Sequence, residues 1–126
     1  MGQVTQNLRR GELQDMPELQ VIARHTARDG MRDAVLAILP KLIEASRREP
    51  GNLAFEAYLN LDDPKSYVLL ERYTSRAAIA AHRDSSHFKD LMLGQILPKL
   101  ETESSNSTTS RKATKTNYEL PRPALR

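Results

Sequence analysis

The sequence predicts an α+β fold of the split βαβ, ferredoxin-like kind, with chain order β-α-β-β-α-β and the helices on one face of an antiparallel sheet. Three observations predict it. Two stretches carry apolar residues at helical three-and-four spacing, three shorter ones alternate at every second residue, and Gly, Pro and Asp clusters separate them. The 126 residues suffice for one core and are too few for two comfortable ones. A single domain over residues 17–100 is expected, between a flexible polar arm at 1–16 and a polar linker and tail at 101–126.

The first element, "ELQVIARHT" at 18–26, alternates Leu19, Val21, Ala23 and His25 against Gln20, Ile22, Arg24 and Thr26. That is a strand with one strongly apolar face. After the "RDG" turn, Met31, Ala34, Val35, Ile38, Leu39 and Leu42 repeat at three and four, which predicts an amphipathic helix over 31–48. Pro40 in its middle predicts a kink, and "EPGN" ends it.

"LAFEAYLN" at 53–60 and "YVLLERYT" at 67–74 alternate again and are joined by "LDDPKS", so a second and a third strand are expected. Val68 and Leu70 point one way; Tyr67, Leu69 and Tyr73 point the other. Ser75 is the expected N-cap of a short helix "RAAIAAH", and Ser85 or Ser86 that of "HFKDLMLGQILPKL", whose apolar stripe is Phe88, Leu91, Met92, Gln95 or Ile96, and Leu100. "ETESSNSTTSRKATKTN" at 101–117 has no long apolar side chain and reads as a linker. A short strand at 118–120, stopped by Pro121, is expected after it.

On an unbroken helix His82 and His87, five residues apart, would sit roughly 140° from each other. The Ser-Ser break changes that, so His82 closes one helix and His87 opens the next. Helices on one side leave the other sheet face bare, although the third strand is apolar on both sides. A second copy covering that face, hence a homodimer, is expected.

Composition narrows the function. There is no cysteine, which removes disulfides, thiolate nucleophiles and thiolate metal sites. No apolar run approaches the roughly 20 residues of a membrane span, and the start lacks a signal-peptide pattern, so a cytoplasmic protein with no membrane partner is expected. The net charge of +3 is no nucleic-acid footprint: residues 16–100 hold twelve Lys/Arg against eleven Asp/Glu, and residues 101–126 hold five against three. No nucleic-acid partner is expected. His25, His82 and His87 have no metal-ligand spacing, so no metal is expected either.

Among candidate residues, His82 is the leading base, because an imidazole titrates near neutrality; otherwise it closes a helix end or contacts Glu71. Glu71 is a carboxylate among apolar and aromatic neighbours and needs a partner, for which Arg24, Arg72, Arg76 and His82 are candidates. Tyr73 either donates to a substrate oxygen or fills core volume. His25 reads as a satisfied core histidine and His87 as packing beside Phe88.

"EPGN", "DDP", "LLERY" and "AAHRDSSHF", with their spacing, resemble the antibiotic biosynthesis monooxygenase family, quinol-monooxygenase-like proteins of the dimeric α+β barrel class. The resemblance covers roughly Leu19 to Leu100. It implies cofactor-free oxygenation of a phenolic, hydroquinone or polyketide-like substrate to a quinone by molecular oxygen, with no cofactor. It further implies a substrate pocket between sheet and helices, lined by Val21, Ala23, His25, Leu69, Phe88, Leu91 and Met92. The implied catalytic residues are His82, Tyr73 and Glu71. The family usually has Trp where Tyr73 stands, so substrate preference is open. Haem-degrading relatives use Asn, Trp and His where this chain has Ala23, Tyr73 and Met92, which disfavours haem chemistry. Two other functions stay open: a non-redox isomerase of a small hydroxy-ketone, and a non-catalytic ligand-binding dimer.

Overall fold

The computed structural model describes residues 18–110. Strand β1 (Glu18–Ala27) is followed by helix α1 (Arg32–Arg47), strands β2 (Asn52–Leu59) and β3 (Ser66–Tyr73), and helix α2 (Arg76–Arg83). A π-helix (Phe88–Ile96), a 3-10 turn (Leu97–Lys99) and strand β4 (Leu100–Ser110) complete it. The four strands form one antiparallel sheet in the order β2-β3-β1-β4, the ferredoxin-like α+β arrangement that the alternation predicts.

Period-two burial decides the sheet's two faces. Leu19, Val21, Ala23, His25 and Ala27 of β1, and Tyr67, Leu69, Glu71 and Tyr73 of β3, all point inward and are buried. Register pairs them: Val21 lies opposite Glu71, Ala23 opposite Leu69 and His25 opposite Tyr67. On the helical side, α1 contributes Val35, Leu39, Leu42 and Ser46 at four-three-four spacing. Pro40 does not interrupt α1, because it lies on the exposed side where water can take the carbonyl it leaves unbonded.

Ser75 caps α2 as expected, accepting from the Ala78 backbone N–H at 3.1 Å. Ser85 performs the second capping: its Oγ accepts from Phe88 N–H at 3.2 Å while its hydroxyl donates to the His82 carbonyl at 2.6 Å. The last helix differs from the expected α-helix. It winds as a π-helix, whose wider turn brings residues four apart toward alignment, so Met92 and Ile96 are buried while Leu91 is only partly so.

The linker reading of 101–117 is corrected over its first part. "LETESSNSTTS" is an edge strand that pairs with the whole of β1, from Ala27↔Leu100 to Glu18↔Ser110. Leu100 at its start is buried in the core, but its side chains from Glu101 to Thr109 are exposed, so backbone pairing holds the rest of it, and an element of that kind prints no apolar period. The arm at 1–16 and the strand expected at 118–120 lie outside the described residues.

Candidate functional site

A pocket opens between the inward sheet face and the helices. Its sheet wall is Val21, Ala23, His25, Leu69 and Glu71, and Phe88 and Met92 close it from the π-helix. His82, buried, also lines it. Leu91 and Tyr73 do not line it. Leu42, Phe55, Arg83, Glu103 and Ser105 do, and sequence reasoning passed over these five. Leu42 and Phe55 were visible as inward positions of a helix stripe and a strand alternation. Glu103 and Ser105 were hidden by the linker reading. The cavity measures about 60 Å³. An apolar cavity that admits benzene is about 150 Å³, so an aromatic ligand must lie partly in the mouth beside Arg83, Glu103 and Ser105.

Glu71 has a partner, and it is none of those expected from sequence. Tyr73, two residues along the same strand face, donates its hydroxyl to Glu71 Oε1 at 2.7 Å. Burial raises the Glu71 carboxyl to about 7, while the Tyr73 hydroxyl and the nearby Arg83 cation pull it back. Burial and the neighbouring Glu71 charge both push the Tyr73 phenol up, so its proton stays with it. Tyr73 is thus a donor committed to Glu71, walled in by Leu19, Val21 and Ile79. His25 is the satisfied core histidine: its Nδ1 is 2.8 Å from the Tyr67 hydroxyl, and burial lowers its pKa to about 4. It stays neutral at physiological pH and presents an uncharged wall to the pocket.

His82 is buried and its Nδ1 lies 2.8 Å from Glu49 Oε2, not against Glu71. The same oxygen is 2.5 Å from His87 Nε2. Glu49 is a residue the sequence reading missed, although a carboxylate just beyond a helix C-terminus, where the dipole disfavours it, was a usable signal. Gly51 explains how it gets there. A Cβ at Gly51 would collide with the Ala78 side chain, so only glycine lets the "EPGN" turn approach α2 this closely. Phe55, Tyr73 and Phe88 surround the His82 ring, with centroids 5.0–5.7 Å away.

Glu49, His82 and His87 are also the described residues that could hold a metal, with donor atoms within 4.8 Å of one another. Oxygen-to-nitrogen separations of 2.5 and 2.8 Å are hydrogen-bond lengths. Ligands about 2.0–2.1 Å from a zinc ion in tetrahedral array stand more than about 3 Å apart, so these shorter separations are those of hydrogen bonds.

Comparison with known proteins places this architecture. The sequence profile described as "Antibiotic biosynthesis monooxygenase" matches residues 19–92. The chain belongs to that family. The Mycobacterium tuberculosis protein named "Putative monooxygenase Rv0793" is 37% identical over 79 residues, 61% of this chain and 77% of that protein. "Putative monooxygenase YcnE" of Bacillus subtilis is 28% identical over 58 residues, 46% of this chain and 61% of that one. The solved structure of Rv0793 matches with a TM-score of 0.67 at 32% identity, covering 72% of this chain and 92% of that one. SO0527 from Shewanella oneidensis shares the fold, with a TM-score of 0.70 at 22% identity over 76% of this chain and 93% of that one. The antibiotic biosynthesis monooxygenase match encloses every pocket residue except Glu103 and Ser105, which β4 adds beyond it. Among the described residues no helix is long and apolar enough to cross a membrane.

Proposed function

We propose that the protein is a cofactor-independent monooxygenase that converts a phenolic, anthrone-like or hydroquinone substrate to a quinone with molecular oxygen. Family membership and the monooxygenase names of its relatives support the reaction class. The observation that carries the reading is a largely apolar pocket to whose lining His82, Glu71 and Arg83 all contribute. His82 Nε2 takes the first proton from the substrate. Arg83 stabilises the resulting phenolate or enolate.

That anion passes one electron to oxygen, and the two radicals combine into a carbon-bound peroxide. A second proton then leaves the same carbon as the O–O bond breaks, giving a carbonyl and one water. For a CH2 carbon, one oxygen atom enters the product and the other leaves as water, so the four electrons balance. Glu71, poised near neutrality beside Tyr73, is suited to trade that second proton.

Oxygen-electrode measurements on anthrone and a panel of hydroquinones test this. The expected result is one oxygen consumed per anthraquinone formed from anthrone, with a rate unchanged by chelator. Turnover of a hydroxy-ketone under anaerobic conditions would overturn it in favour of an isomerase.

A further inference from the structure

The pocket mechanism leaves Glu49 unused, yet one of its carboxylate oxygens meets two imidazoles. Its side chain is 14% exposed, that of His82 is 4% and that of His87 is 21%. Glu49 Oε1 is buried and has no hydrogen-bond partner among the described residues, so the two imidazoles on Oε2 are what compensate this largely buried carboxylate. In its carboxylate form Glu49 can only accept, which makes His82 Nδ1 and His87 Nε2 both donors.

We propose that Glu49 is a positioning residue that fixes His82 in the Nδ1–H tautomer, so that Nε2 is the nitrogen offered to the pocket, and that His87 competes for the same carboxylate oxygen. The inference rests on the reading of His82 as a base. Its geometry is preorganised by the backbone. Glu49 N–H donates to the Ser46 carbonyl at 3.0 Å and the Glu49 carbonyl accepts from Asn52 N–H at 3.1 Å, so the turn is pinned on both sides. Ser85 ties the end of α2 to the start of the next helix, which brings His82 and His87 onto one carboxylate despite their spacing. The aromatic walls of Phe55, Tyr73 and Phe88 hold the imidazole plane.

The charged and titratable groups around His82 pull in both directions. Glu49 from the turn favours its cation; His87 from the following helix and Arg83 from its own helix oppose it, and Tyr73 with Glu71 behind it faces the ring from β3. Burial dominates and lowers the His82 pKa, so Glu49 is what keeps the imidazole basic enough to act. Removing Glu49 and removing His87 should therefore shift His82 in opposite directions.

Long-range proton–nitrogen NMR on the full-length, nitrogen-15-labelled protein reads the tautomer and titration midpoint of His82 without needing any substrate. The expected wild-type result is a neutral ring protonated on Nδ1. In Glu49→Gln the midpoint should fall by about one pH unit or more, and in His87→Gln it should rise. A wild-type ring protonated on Nε2, or midpoints that do not move in folded variants, would overturn the proposal. So would a stoichiometric zinc ion retained by the purified protein, because metal would then occupy Nδ1.

With anthrone as probe, Glu49→Gln should lower kcat about tenfold or more with KM nearly unchanged, and Glu49→Asp should restore part of the loss. Absence of oxygen uptake by the wild-type protein would remove the monooxygenase reading alone. The tautomer result is read independently of it.

Discussion

Glu71 shows how one buried side chain couples stability to pH. In the unfolded chain its carboxyl titrates at the ordinary value of 4.5, and in the folded chain at about 7. The native state therefore holds a proton that the unfolded state has released, and stability falls as pH rises from 4.5 to 7. At about 1.4 kcal/mol per unit the loss is on the order of 3 kcal/mol. His25 works in the opposite sense: its lowered pKa costs stability as pH falls from 6.5 towards 4. Glu71→Gln removes the first slope alone. The variant should be more stable than the parent at pH 8 and about equal near pH 4.5, as read by urea denaturation at both values. Parallel pH profiles for parent and variant would show that Glu71 does not carry this proton.

At the scale of elements, the turn between α1 and β2 does the most to assemble the site. Gly51 lets it lie against Ala78, its carbonyl accepts from Thr74 N–H at 3.0 Å, and Glu49 two residues earlier reaches the histidines. Gly51→Ala should cost about 1–3 kcal/mol through overpacking, with an unchanged denaturant slope. It should also weaken the Glu49 contact, visible as a shifted His82 titration. A variant as stable as the parent would mean that α2 can retreat freely. The π-helix has an equally local consequence, turning Met92 into the pocket and Leu91 away from it.

At the scale of the whole molecule, one sheet face is covered by no helix among the described residues. Ile22, Val68 and Leu70 are only partly buried there, and Tyr58 is 53% exposed. We propose that a second copy covers this face, giving a homodimer. Sedimentation equilibrium at micromolar concentration should return twice the 14.2 kDa chain mass. A Leu70→Glu variant should shift that mass towards the monomer while leaving the folded far-ultraviolet signal intact. A monomer mass for the parent protein would refute the pairing.

Three of the four strands and both α-helices were legible in the sequence, because each buries one face and so repeats with its own period: Val21, Ala23 and His25 by twos, Val35, Leu39 and Leu42 by fours and threes. His82, Glu71 and most of the pocket wall were legible for the same reason, as unusual residues on inward positions. Strand β4 was not, since an edge strand held by backbone pairing needs no apolar alternation. Glu49 was not either. Its meaning comes from a contact 33 residues along the chain with His82, made when Gly51 and Ser85 bend two turns toward each other. Periodicity records what a side chain buries, and the sequence determines that alone. Which polar groups meet depends on how separate elements close in space, and only the tertiary structure decided it.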